Sequence, residues 1–148
     1  MILKWLGHSC FLLTSDSGMR VLMDPCAPKT GYTIAPVEVD AVTASHDHYD
    51  HNYFEAALGD PIRITEPGMH EVHGVHIMGI PTWHDKEHGA KRGRNIMFLV
   101  EMDGIRLLHA GDLGHLPDEA AIAAPGPVDV LLGRIAGVFT IHGRGPKK

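Results

Sequence analysis

In the stretch VDAVTASHDHYDHN, residues 39–52, an apolar run ends directly on a crowd of metal-ligand side chains. From His46 to His51, three histidines and two aspartates occupy six positions. A solvated surface does not need such crowding, and a hydrophobic core would be harmed by it. The preceding VDAVTAS is apolar enough for a strand buried on both faces. The chain must therefore end a buried strand at a cluster of ligand-type groups, which calls for a sheet protein with its chemistry at strand ends.

Imidazoles and carboxylates are ligands that zinc, iron and manganese accept. In an extended segment, residues two apart project to the same side. His46 and His48 can then converge on one ion while Asp47 and Tyr49 point away. A turn at Asp50 and His51 can swing those two toward a second ion. This is not the helical HExxH arrangement. The alternative is a histidine-rich surface loop without function, or one that takes adventitious metal. Five ligand-type residues at the end of a buried strand weigh against it. Two further groups sit just past apolar runs: His84 in IPTWHD and Asp112 in HAGD. Each, taken alone, reads equally well as an ordinary polar residue.

The remaining pattern is one of short strands with turn punctuation. ILKWLG, CFLLTS and MRVLMDP are strand-length apolar runs. The DSG between the second and third marks a turn. Residues 25–39 contain three prolines and read as a loop. NYFEAALG, residues 52–59, reads as a short helix capped by Asn52 and ended by Gly59. PIRITEPG and HEVHGVHIMGIPTW return to strand character. The polar residues 85–95, DKEHGAKRGRN, read as a loop. IMFLVEMDGIRLLHAGD is a hairpin pattern, with Asp103-Gly104 suited to a type I′ turn. LPDEAAIAAPG, residues 116–126, reads as a second short helix, and VDVLL as a last buried strand. The expectation is one α/β (α+β) domain over residues 1–148.

Composition narrows the function classes. A net charge of −5 offers no basic footprint for nucleic acid or anionic membrane. No apolar run approaches the roughly 20 residues of a membrane span, and the N-terminus lacks the pattern of a signal peptide. Cys10 and Cys26 cannot make a disulfide framework and read as buried or half-buried thiols in a reducing, cytoplasmic setting. Histidine, at 12 residues, is in marked excess. No Ser-His-Asp, Cys-His or phosphate-binding glycine pattern competes with the metal reading.

The motif SHDHYDH resembles the HxHxDH signature of the metallo-β-lactamase superfamily. MDP at residues 23–25, PTWH and HAGDLGH follow that superfamily's order and spacing. WLGHSCFLL and VDVLL…GVFTI resemble a branch of small metal-dependent hydrolases whose relatives include a sugar-phosphate lactonase. The resemblance covers nearly the whole chain. It implies an αβ/βα sandwich of two mixed sheets with helices outside. It also implies that His46, His48 and His84 hold one metal, Asp50 and His51 a second, and that Asp112 bridges both. Asp24 matches the family aspartate that supports the ligand loop from behind, and His8 and His115 match positions near the site. Relatives continue past the point matching Lys148 and supply a final histidine on a PMHY-like segment. His142 does not match that motif, and GRIAG stands where relatives have a PVGG-like stretch. The C-terminal part is therefore expected to be truncated.

The implied chemistry is hydrolysis of a small ester, lactone or phosphodiester. A zinc ion or zinc pair, with manganese or iron suiting the same ligands, lowers the pKa of bound water. The resulting hydroxide attacks a carbonyl or phosphoryl centre, and the metals offset the charge on oxygen. Asp50 and Asp112 would hold and orient the nucleophile, and His115 would protonate the leaving group. The alternatives are an impaired metal-binding fragment acting as an oligomer, and a phosphodiesterase or nuclease, against which the acidic charge argues. The expected partners are a small-molecule substrate and further copies of the chain, without nucleic acid or membrane. Among the other histidines, His109 is expected to pack inside the sheet, and His70, His73 and His76 to lie on exposed strand and turn positions. His88 and the basic Lys91, Arg92 and Arg94 are placed at a possible site rim. Trp5 and Trp83 are expected in the core.

Overall fold

The computed structural model describes residues 1–28, 31, 34–45, 52–83, 94–111 and 126–132. The chain opens with three antiparallel strands, β1 (Ile2–Gly7), β2 (Cys10–Thr14) and β3 (Arg20–Met23). Two short strands follow, β4 (Val37–Glu38) and β5 (Ala41–Thr43), and β5 lies parallel to β3. Then come β6 (Ala57–Leu58), β7 (Ile62–Ile64), β8 (Gly68–Val72) and the longer β9 (Val75–Trp83). β10 (Arg94–Met102), β11 (Ile105–His109) and β12 (Val130–Leu132) complete the described strands. The first sheet runs β1-β2-β3-β5-β7 and the second β12-β11-β10-β9-β8, while β4 and β6 form a separate two-stranded pair. Both large sheets are mixed, with parallel pairs at β3-β5, β5-β7 and β11-β12.

The alternation of side chains puts the main core between these sheets. From β10, Ile96, Phe98, Val100 and Met102 enter one cluster with Ile77 and Leu107 of their own sheet and Leu13, Val21, Met23 and Ile64 of the first. The intervening Met97 and Leu99 join Ile80, Leu108 and Ala110 in a second cluster. Leu22, between Val21 and Met23, joins Cys10, Cys26, Val42 and Ala56 in a third. The apolar runs of β3, β5 and β10 are near-continuous because both faces of each strand are covered.

The Asp103-Gly104 turn joins β10 to β11 in the expected register. Both residues have positive φ, 54° and 76°, which is the type I′ requirement.

Three local expectations are corrected. Residues 52–59 hold only a 3₁₀ turn, Phe54–Ala56, before the chain becomes extended as β6 and pairs in parallel with β4. An isolated helix of two turns is marginal in water. Here Ala56 is buried in the cluster against the first sheet, so tertiary packing overrides helix propensity. The same pairing makes Val37–Glu38 a strand within the 25–39 stretch. Trp5 is not core: it is 57% exposed on β1, with its Nε1 donating to the His8 carbonyl at 2.8 Å. The second expected helix lies outside the described residues except for Gly126.

Candidate metal centre

Four chain segments reach one end of the sandwich. β3 and β5 are parallel neighbours, so Asp24 and Ser45 leave the first sheet at the same end. β9 ends at Trp83, immediately before His84, and β11 ends at His109, three residues before Asp112. β10 begins at this end, at Arg94, since it runs antiparallel to both.

Asp24 is the buried anchor of the first sheet. It is 1% exposed and takes a left-handed backbone, φ 50°, which turns the chain sharply after β3. Its amide donates to the Thr43 carbonyl at 2.8 Å. Its carboxylate accepts from the Ser45 amide at 2.8 Å and from the Ser45 hydroxyl at 2.6 Å. Three hydrogen bonds thus hold Thr43 and Ser45, the end of β5 and the residue just before His46. Charge-assisted bonds of this kind are among the stronger ones in proteins.

On the second sheet, the Asn95 side chain joins two strand ends. Its Nδ2 donates to Thr82 Oγ1 at 3.0 Å and to the Ala110 carbonyl at 2.9 Å. Thr82 Oγ1 in turn donates to the Asn95 carbonyl at 3.1 Å. The two sheets meet at this same place. The Ile96 amide donates to the Ser45 carbonyl at 2.8 Å. Gly111 sits so close that a Cβ there would meet Ser45 Cβ at 2.5 Å and collide with Asn95 Oδ1. Its φ of 66° is a second reason for glycine.

His109 ties the sheets from the interior, as expected of a packed histidine. It is 3% exposed and edge-on to Phe11, with ring centroids 5.6 Å apart. The Gly111 amide donates to its Nδ1 at 2.9 Å. Its Nε2 lies 2.8 Å from the Ser9 carbonyl, which can only accept. These partners define a neutral ring with its proton on Nε2.

Of the site residues read from the sequence, Asp24 and His8 are described. His8 stands in the β1–β2 turn beside Ser9, half-buried, with φ 52° and its Nδ1 3.2 Å from Ser9 Oγ. His46, His48, Asp50, His51, His84, Asp112 and His115 lie outside the described residues, as do His88, Lys91 and Arg92. The structure does place the residues that precede three of them: Ser45 before His46, Trp83 before His84, and Gly111 before Asp112. Ser45 and Gly111 are in close approach, and Thr82 and Ala110 share one amide. The segments therefore converge as a shared metal site needs. Among the described residues, no group of three or more His, Cys, Asp or Glu side chains is placed to hold a metal. Cys10 and Cys26 are buried and free. Burial, then the neighbouring Cys26 and Asp24, push the Cys10 thiol far up. His73 and His76 are exposed and His70 half-buried, on or beside β8 and β9.

Sequence reasoning missed Ser45, Thr82, Asn95 and Gly111. The polar stretch 85–95 reads as a loop, yet Asn95 is fully buried in β10. The available signal was an asparagine directly preceding the apolar run IMFLV, a residue type disfavoured in strands.

A family model described as β-lactamase superfamily domain matches residues 2–147. A protein of Thermococcus kodakarensis named as a metal-dependent hydrolase is 30% identical, over 95% of this chain and 75% of its own length. A crystal structure from Thermotoga maritima, of a candidate Zn-dependent hydrolase of the metallo-β-lactamase superfamily, superposes with a TM-score of 0.75 at 37% identity. It is covered over 64% of its length, and this chain over 95%. The diiron β-hydroxylase CmlA from Streptomyces venezuelae shares the fold, with a TM-score of 0.63 at 18% identity, over 87% of this chain and 33% of its own.

Proposed function

We propose that this chain, which belongs to the β-lactamase superfamily domain family, hydrolyses a small ester, lactone or phosphodiester at the open end of its two-sheet sandwich. One observation carries the reading: the backbone leading into His46, His84 and Asp112 is drawn together around Ser45, Asn95 and Gly111. The donor set is one of imidazoles and carboxylates, which suits zinc first, and manganese or iron on the same ligands. His46, His48 and His84 would hold one ion, Asp50 and His51 a second, and Asp112 both. When bound, such an ion acidifies water toward neutral pH and offsets negative charge growing on the attacked centre. Asp50 and Asp112 orient the attacking group, and a His115 ring nitrogen delivers the proton to the leaving oxygen. Asp24 keeps the first ligand segment in place through Ser45.

The net charge of −5 supports a small substrate over nucleic acid. Two buried free thiols support a reducing, cytoplasmic setting. No helix among the described residues is long and apolar enough to cross a membrane. A homo-oligomer belongs to the same reading. β1 lies at the edge of the first sheet and exposes Ile2, Leu3 and Trp5, a surface suited to pairing with a second copy. Light scattering is expected to give at least a dimer, and a monomer at working concentration counts against it.

The deciding experiment is metal content per chain, measured on untagged protein beside the His46→Ala/His48→Ala variant. About two equivalents, absent from the variant, are expected for a paired site, with turnover of lactones, esters or phosphodiesters lost in parallel. No metal in either protein removes the hydrolase reading.

A further inference from the structure

Asn95 does something the strands around it do not need. β10 already pairs with β9 through the backbone at this point, Arg94 with Trp83, Asn95 with Thr82 and Ile96 with Pro81. An aliphatic or β-branched side chain would serve that ladder better, because asparagine disfavours strands and burying its amide costs free energy unless every group is bonded. The amide is nonetheless fully buried. Its two N–H groups are spent on Thr82 Oγ1 and the Ala110 carbonyl. Thr82 stands two residues before His84, and Ala110 two residues before Asp112. The ladder sets the distance between β9 and β10 and between β10 and β11. The β10–β11 ladder ends at Phe98 and His109, so it does not hold Ala110; the carboxamide ties Ala110, just past β11, to Thr82, next to the last residue of β9. Its Oδ1 faces the Cα of Gly111 so closely that no side chain fits between them. Through the next residue, the Ile96 amide holds the Ser45 carbonyl and so the segment entering His46.

We infer that Asn95 is a positioning residue for the metal centre, which sets the relative placement of the segments carrying His84 and Asp112. The inference rests on the metal-centre reading above. Partners that orient metal ligands typically change metal affinity by about 10- to 100-fold when removed.

The test is cobalt(II) titration of the full chain, read as affinity and as the visible absorption of the bound ion, with the thermal midpoint of the metal-free protein measured alongside. Asn95→Ala is compared with Val100→Ala, a fully buried position towards the opposite end of the same strand. Asn95→Ala is expected to lose about 10- to 100-fold in cobalt affinity and to alter the absorption, while Val100→Ala, at a similar or larger loss of thermal midpoint, retains wild-type values of both. If Asn95→Ala fails to fold, Thr82→Val, which removes one of the two acceptors, is read in the same way. Wild-type affinity and absorption in Asn95→Ala (or in Thr82→Val, where it stands in) would overturn the inference. So would an equal loss in Val100→Ala, which would make the effect one of stability alone. Absence of cobalt binding by the wild-type chain would instead sink the metal-centre reading, and the inference with it.

Discussion

Asp24 and Gly111 are single residues whose identity is dictated by what touches them. The Asp24 carboxylate satisfies both the amide and the hydroxyl of Ser45. Asp24→Ala leaves those donors buried and is expected to cost about 3 kcal/mol of stability, with metal affinity falling about 10- to 100-fold. Urea unfolding and a metal titration check the two effects separately. At Gly111, any Cβ meets Ser45 and Asn95 and must also sit at φ 66°. Gly111→Ala is expected to destabilise by at least about 2 kcal/mol and to abolish stoichiometric metal binding, because relief requires the two sheet ends to part. A stable, metal-loaded Gly111→Ala protein would contradict this geometry. The candidate ligands stand out in the sequence because imidazoles and carboxylates announce themselves by type. Gly111 does not, since a glycine beside an aspartate looks the same whether it turns the chain or accommodates a neighbour.

At the scale of elements, the β10–β11 hairpin was the most legible, because its turn chemistry and its two apolar runs agree. The hairpin turn also has a tertiary role. Asp103 accepts from the Asp16 amide at 2.8 Å and from the Met1 ammonium at 3.1 Å. The Asp16 hydrogen bond is the main reason its carboxyl lies below the ordinary 3.8, with the ammonium adding to it and desolvation opposing. A depressed carboxyl contributes stability that is complete above 3.8 and is lost as pH falls through the lowered native value. Asp103→Asn keeps a residue suited to positive φ and removes the charge. Wild type is expected to be the more stable near neutrality, and the two proteins to converge as the pH approaches about 2. Urea midpoints across that range measure it, and a constant difference at all pH values would refute it. The 52–59 segment was misread because a short amphipathic run fits either a helix or an extended pair. The parallel partner that decides the matter, Val37–Glu38, lies some 20 positions earlier.

For the whole molecule, metal and fold are expected to be linked, since the candidate ligands come from segments of both sheets. A metal that binds only the native state stabilises it by about 4 kcal/mol at a thousandfold excess over Kd. Chelator treatment is therefore expected to lower the calorimetric midpoint, and re-addition of zinc to restore it; an unchanged midpoint would mean that the ligands do not join the sheets. The two mixed sheets belong to the metallo-β-lactamase fold, as the superposition on the Thermotoga maritima structure shows. By itself, the sequence determined the strands of the two large sheets and the hairpin turn. These follow from side-chain type and from the period-two alternation of neighbouring residues. Only the tertiary structure decided that Ser9 would meet His109, that Ser45 would meet Gly111, and that Asn95 would join Thr82 to Ala110. Those meetings depend on sheet order and on which strand ends share one edge of the sandwich. Sheet order is set by the packing of distant apolar faces against each other, and no local pattern along the chain records it.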